Sequence, residues 1–278
     1  MNIQWFPGHM KDSMELLKNS ISKANIILEI LDARLPLSSA NPYIEKICKN
    51  ILKVKILNKN DIADPDITKE WLNFFKNEKQ KAISISGKNA KDVKNIIEYC
   101  KKVSKKNKAE KIKIMVIGIP NTGKSTIINS IVGKKVARTG NVPAITRHNQ
   151  RMATKDMDIY DTPGILWPIL EPKLKADILA ASGAIANTVV DYNDTGKFTL
   201  EFLINRYPES LLKRYKFNSL PDNPGTLIKK IGAKRGCLKK GGKIDIQRAY
   251  EILITELRQG KLGKISFEKP EDYLTDNV

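Results

Sequence analysis

Gly118-Ile119-Pro120-Asn121-Thr122-Gly123-Lys124-Ser125 is the stretch that decides the fold. It fits G-x-x-x-x-G-K-S, follows the apolar run Ile112 to Ile117, and opens a segment of helical spacing from Lys124 to Val132. A strand, a glycine loop and a helix in that order wrap backbone N–H groups around phosphate oxygens. The helix N-terminus adds partial positive charge. Lys124 is expected to reach the β- and γ-phosphates and Ser125 to ligate Mg²⁺, with Asn121, Thr122, Gly123 and Thr126 completing the phosphate contact. The loop alone does not separate ATP from GTP.

Outward from this loop, strands alternate with helices. Ile26 to Leu31, Ile51 to Leu57 and Ala82 to Ile85 read as strands, and 11–23, 66–77 and 92–103 as helices. The alternation predicts an α/β domain whose mainly parallel sheet is covered by helices on both faces. Arg151 to Tyr160 reads as a hairpin added to that sheet. After Gly164 the texture changes. Residues 173–186, 198–216 and 245–258 read as helices, the last with Ile246, Ala249, Tyr250, Leu253 and Leu257 on one face. The reading is a nucleotide domain over 1–169 and a small, basic, all-helical domain over 170–278.

Asn58-Lys59-Asn60-Asp61 fits N-K-x-D and ends the second strand, where open α/β sheets bind ligands. The Asp61 carboxylate can accept two hydrogen bonds from the guanine N1–H and 2-amino group. Adenine lacks that donor pair and would leave a charged acceptor unpaired. Asn58 is expected to serve the other edge of the base and the Lys59 stem to pack on its face. Ser86-Gly87-Lys88, after the third strand, would close over it. Asp161-Thr162-Pro163-Gly164 fits D-x-x-G: Asp161 would hold Mg²⁺ through water and the Gly164 N–H would sense the γ-phosphate. Of Thr139, Thr146 and Thr154, Thr146 is the best placed to complete the Mg²⁺ shell, because it lies in a loop between the phosphate loop and Asp161.

The base motifs thus precede the phosphate loop, whereas in the usual GTPase they come last. The chain reads as a circularly permuted P-loop GTPase domain, an arrangement that a sheet with neighbouring termini tolerates.

Forty-nine Lys and Arg against 30 Asp and Glu give a net charge of +19, a field that attracts polyanions. The charge is uneven: Thr226 to Lys264 holds eleven Lys or Arg and three acids. Nucleic acid is the expected partner, with Lys234, Arg235, Lys239, Lys240, Lys261 and Lys264 as candidate RNA contacts. The absence of an apolar leader and of any run of about 18 apolar residues argues against secretion and membrane spanning. Three scattered cysteines, Cys48, Cys100 and Cys237, form no metal pair and suit a reducing cytoplasm.

With these residues in hand, the chain resembles the circularly permuted ribosome-assembly GTPases, and among them the ribosome biogenesis GTPase A family. The resemblance rests on Trp5-Phe6-Pro7-Gly8-His9-Met10, Asp32-Ala33-Arg34, Asn58–Asp61, Gly118–Ser125 and Asp161–Gly164, with Lys234–Cys237 and Gly260–Gly263 in the tail. It implies a cytoplasmic bacterial or organellar protein that binds the large ribosomal subunit during late assembly. The expected partners are GTP or GDP and that subunit with its rRNA, and the chain is expected to be a monomer. The family commonly carries glycine where this chain has Ala144.

The residue after D-x-x-G is Ile165, which cannot orient a water. The resemblance gives that role to His9; His148, two residues beyond Thr146, is the rival. Asn121 resembles the asparagine that recruits K⁺ in potassium-stimulated GTPases. Two alternatives to a GTPase that times its release from a ribosomal precursor stand beside it. One is a guanine-nucleotide-gated RNA-binding module with little catalysis. The other is a signalling GTPase with a protein partner, against which the basic tail speaks.

Overall fold

The computed structural model describes residues 21, 24–48, 51–104, 110–134, 150–162, 164, 173–185 and 190–275. Two units form: Met1–Lys173 together with Ser266–Val278, and Leu174–Ile265.

Among the described residues the first unit is built on six strands: β1 (Ile26–Asp32), β2 (Leu52–Asn58), β3 (Lys81–Ser84), β4 (Ile112–Ile117), β5 (Gln150–Ala153) and β6 (Met157–Asp161). Their order in the sheet is β3-β2-β1-β4-β6-β5. All neighbours are parallel except β5 and β6, which form the expected hairpin. Between the strands lie α1 (Pro36–Ser39), α2 (Pro42–Ile47), α3 (Pro65–Asn77), α4 (Ala90–Val103) and α5 (Lys124–Val132).

Every residue of β1 is buried, as a central strand covered on both faces requires. Successive side chains point to opposite faces. Ile26, Leu28 and Ile30 pack with Ile96 and Cys100 of α4 and with Ile127 and Ile128 of α5. Leu31 packs with Ile67, Trp71 and Phe75 of α3. The Asp64 carboxylate caps α3 by accepting from the Asp66 and Ile67 N–H groups at 3.0 and 3.3 Å. Strands β1, β2 and β3 wind to one side, and β4, β6 and β5 to the other. The ends of β1 and β4 therefore flank the topological switch point, where ligands of such sheets bind.

The second unit holds α6 (Lys173–Ser182) from Leu174 on, α7 (Tyr192–Arg206), α8 (Pro208–Tyr215), α9 (Pro224–Lys234) and α10 (Ile246–Arg258). Buried Glu256 of α10 gathers Arg214 Nε and Nη2 at 3.0 and 2.7 Å, the Tyr215 hydroxyl at 3.0 Å and Arg235 at 3.0 Å. Arg258 closes the end of α6 by donating to the carbonyls of Ala180 and Ala181 at 2.6 and 3.0 Å.

Three expectations change. The single helix over 198–216 is two, broken at Tyr207 (φ −139°, ψ 49°), because Pro208 lacks an N–H and disfavours a helical residue before it. Helix α9 was not anticipated, although Asn223 caps it and Pro224 opens it. The helical domain also does not run to residue 278: from Ser266 the chain belongs to the first unit and ends its described course in α11 (Pro270–Thr275). The cause is a set of buried and partly buried hydrogen bonds. Phe267 N–H donates to the Arg34 carbonyl at 2.7 Å. The Glu268 carboxylate accepts from Leu37 and Ser38 N–H at 2.8 and 3.0 Å. Trp71 Nε1 donates to the Glu268 carbonyl at 3.0 Å, and Asp64 N–H to Ser266 Oγ at 3.1 Å. The helix expected at 11–23 lies outside the described residues except for Ile21.

Candidate functional site

Parallel pairing brings the motif-bearing strand ends together. Asp32 of β1 is in register with Asn58 of β2, and Val116 of β4 with Asp161 of β6. The base loop leaves β2, the phosphate loop leaves β4 and the D-x-x-G segment leaves β6.

In the phosphate loop, Asn121 (φ +59°) and Gly123 (φ +97°) adopt left-handed backbone, and a Cβ on Gly123 would collide with the Asn58 side-chain amide. Thr122 is buried and its Oγ1 donates to the Ile119 carbonyl at 3.1 Å. Lys124 is buried too, its ammonium donating to the carbonyls of Gly118 and Ile119 at 3.0 and 2.8 Å. Burial pushes its pKa down to about 8, against the pull of the Asp161 carboxylate, with Lys59 adding to the depression. Ser125 and Thr126 follow in the first turn of α5.

Gly164 rests on this loop. A Cβ there would come within 2.9 Å of Pro120 N and 3.0 Å of the Lys124 ammonium. Asp161 is buried beside β4, and the Thr162 hydroxyl donates to the Val116 carbonyl at 2.9 Å. A serine hydroxyl and a buried carboxylate are hard oxygen donors. They suit Mg²⁺, which one or two protein oxygens hold together with phosphates and waters. Ser125 and Asp161 could hold it here.

On the base side Asn58 makes contacts beyond the one expected with the base. Its Nδ2 donates to the Thr122 carbonyl at 2.7 Å and its Oδ1 accepts from Gly87 N–H at 2.8 Å, which leaves the second Nδ2 hydrogen for an edge of the base. Asn58 is thus a brace between three loops. Asp61 is exposed, 3.5 Å from the Lys88 ammonium, and Asn60 N–H donates to the Ile85 carbonyl at 3.1 Å. Ser86 and Gly87 are buried; the Gly87 carbonyl also accepts from Ser130 Oγ at 3.0 Å.

Sequence reasoning assigned no chemistry to a charged cluster beside the base loop. Asp32 is held by Arg34 Nε and Nη2 at 2.9 and 2.7 Å and by Lys59 Nζ at 2.8 Å. Burial alone would raise the Asp32 pKa, but the Arg34 and Lys59 charges outweigh it and hold the carboxyl well below the usual range. The signal available was an acid and an arginine two residues apart at a strand end. His9, Thr146, His148 and Thr139 lie outside the described residues.

In the second unit a cavity of about 590 Å³ is lined by Ser210, Lys213, Arg214, Lys216, Lys261 and Gly263, with Glu209 as its carboxylate. Of the candidate RNA contacts, Lys239, Lys240, Lys261 and Lys264 are exposed. Lys234 is exposed as well, its ammonium on the Lys216 carbonyl at 2.8 Å and over the Phe217 ring at 4.8 Å. Arg235 is turned inward to Glu256 and the Tyr215 ring, which removes it from the exposed set.

A family model described as a 50S ribosome-binding GTPase matches residues 113–214, from β4 past the D-x-x-G segment into α8, leaving Asn58–Asp61 upstream of the match. Sheet, loops and match together define a P-loop GTPase whose base loop precedes its phosphate loop in the chain. The ribosome biogenesis GTPase A of Bacillus cereus is 40% identical over 98% of this chain and 96% of its own length. The chain belongs to the ribosome biogenesis GTPase A family. It is also similar to two solved structures. GDP-bound TM YlqF has 29% identity and a TM-score of 0.69, covering 92% of this chain and 99% of that one. GNP-bound YlqF from T. maritima has 28% identity and a TM-score of 0.69, covering 94% and 99%. Among the described residues no helix is long and apolar enough to cross a membrane.

Proposed function

We propose that this GTPase is an assembly factor of the large ribosomal subunit, whose helical unit binds rRNA and whose GTP hydrolysis times its release. The observation that carries the proposal is the position of Gly164. It lies against Pro120 and Lys124 of the phosphate loop and stands in the chain shortly before Lys173, where the chain enters the cation-lined helical unit. A rearrangement driven by the γ-phosphate at Gly164 is transmitted covalently to the RNA-binding unit. The relatives' description as ribosome biogenesis factors and the family model's 50S-binding description support the choice of partner.

In this reading Asp61 selects guanine, Lys59 packs on the base and Ser86 and Gly87 close over it. Lys124 and the loop N–H groups neutralise the transferred phosphoryl group. Ser125, Thr146 and, through water, Asp161 would hold Mg²⁺, which would supply positive charge to offset that of the phosphates. Asn121 would hold K⁺. Ile165 offers the attacking water no hydrogen bond, so His9 orients it, with His148 as the rival. The helical unit meets rRNA phosphates through Lys213, Lys216 and Lys261 around the cavity and through Lys234, Lys239, Lys240 and Lys264. The protein acts as a monomer in the cytoplasm.

Multiple-turnover GTP hydrolysis, measured with and without purified 50S subunits, tests the proposal. We expect the subunits to raise kcat, and His9→Ala to lose most of that rise while still binding GDP. A rate indifferent to 50S subunits, with RNA binding intact, favours the gated RNA-binding module instead.

A further inference from the structure

Asp32 ends β1 directly beside Asn58, and the two strand ends are joined by the Ala33 N–H bond to the Asn58 carbonyl at 2.7 Å. Its carboxylate is 4% exposed and fully engaged: Oδ1 accepts from Arg34 N–H and Nε, and Oδ2 from Arg34 Nη2 and Lys59 Nζ. Arg34 alone would neutralise it through a two-pronged contact. The Lys59 charge is therefore surplus to pairing, and gathering it beside a buried arginine costs desolvation that pairing does not require. Lys59 also holds a left-handed backbone, φ +66°, that non-glycine residues seldom adopt. Its side chain is pinned at both ends, at the strained Cα and at the ammonium, with its aliphatic stem between them.

We infer that Asp32 is a positioning residue of the guanine site: by holding the Lys59 ammonium it fixes the Lys59 stem as a wall of the base slot before nucleotide arrives. A free lysine side chain carries considerable rotamer entropy, which binding would otherwise have to remove. Arg34 supplies the second anchor, and its own carbonyl is held by Phe267 N–H at 2.7 Å. The inference rests on the reading of Asn58–Asp61 as the base loop, and the test separates the two.

The test is a double-mutant cycle on the full-length chain, with GDP affinity measured by titration. We expect Asp32→Asn to weaken GDP binding about three- to tenfold, the range set by immobilising one long side chain. Lys59→Met should weaken it comparably, and the double variant should be no weaker than either single one. In turnover the loss should appear in KM rather than kcat, which a general loosening of the fold would not produce. Additive losses would show that Asp32 acts elsewhere and overturn the inference. So would unchanged GDP affinity in Lys59→Met, while a guanine-to-xanthine switch in Asp61→Asn still upheld the base-loop reading. Unaltered guanine preference in Asp61→Asn would sink that reading itself. If Asp32→Asn does not fold, Asp32→Glu keeps the charge for Arg34 but displaces Lys59. It should lose about threefold in affinity at near-native stability, and wild-type affinity there would overturn the inference.

Discussion

The Asn58 side-chain amide donates to the carbonyl of Thr122 at 2.7 Å, so the head of the base loop is fastened to the middle of the phosphate loop. Its other end accepts from Gly87 N–H at 2.8 Å, in the loop expected to close over the base. One buried residue sets the spacing of three loops that a nucleotide must span.

Asn58→Ala should therefore act on stability as well as binding. It leaves the Thr122 carbonyl and the Gly87 N–H without this partner, and we expect a loss of about 2–4 kcal/mol. Urea unfolding of the nucleotide-free chain measures it, and undiminished stability would show that the brace is not needed.

Asp61→Asn should exchange the preferred base. The carboxylate accepts two donors from guanine; an amide presents one donor and one acceptor, which matches xanthine better. Displacement assays with GDP, XDP and ADP should show XDP overtaking GDP and ADP binding weakly to both forms. Equal competition by ADP and GDP in the unmutated chain would refute guanine selection.

Lys124 makes nucleotide binding pH-dependent. Its folded-state pKa of about 8 is below the usual lysine value, so between those pH values the unfolded chain binds a proton that the folded chain has lost. Folding stability without nucleotide accordingly rises as pH climbs through that window. Phosphate oxygens restore the charge, so GDP affinity should fall above pH 8. Near pH 8 binding should take up about half a proton, measurable by calorimetry in buffers of different ionisation enthalpy. Lys124→Ala should abolish both tight binding and the uptake.

Glu268→Gln keeps the side-chain shape but removes the charge that receives the Leu37 and Ser38 N–H groups. We expect the GTPase unit to lose about 1–2 kcal/mol. Thermal unfolding followed by tryptophan fluorescence would record it, because the Trp71 indole, one of three in the chain, is bonded to the same residue. An unchanged midpoint would mean that the backbone bonds of Phe267 and Glu268 suffice.

Replacing Lys213, Lys216 and Lys261 together by glutamine should lower the slope of log affinity against log salt for 23S rRNA by about 2–3, as expected for the loss of three phosphate contacts. The same measurement on Lys239→Gln with Lys240→Gln ranks the cavity against the exposed turn. A slope unaltered in the triple variant would remove the cavity from rRNA binding.

Much of this was legible in the sequence for simple reasons. The strands are apolar runs ending in motif residues, and the phosphate loop declares itself by glycine spacing, so the sheet and its order of motifs followed. Helix α9 was hidden by Pro224, Gly225 and Gly232, which look like breakers, although Asn223-Pro224 is a regular helix start. The Asn58 bonds to Thr122 and Gly87 were not legible, because an amide can face a ligand, a neighbouring loop or both. Ser266-Phe267-Glu268 has no periodicity to betray it, and its partners Arg34, Leu37, Ser38, Asp64 and Trp71 are remote in sequence. Long-range pairing of that kind is set by tertiary packing, which local pattern does not encode.

The late return of Ser266–Glu268 to the first unit fixes an order of birth. Chains emerge from the ribosome N-terminus first. While the helical unit is still being translated, the Asp64, Leu37 and Ser38 amides and the Trp71 indole have not yet met the partners that complete their packing. The nucleotide-binding half, though encoded first, is the last to be finished, and its maturation waits for synthesis of the entire helical segment.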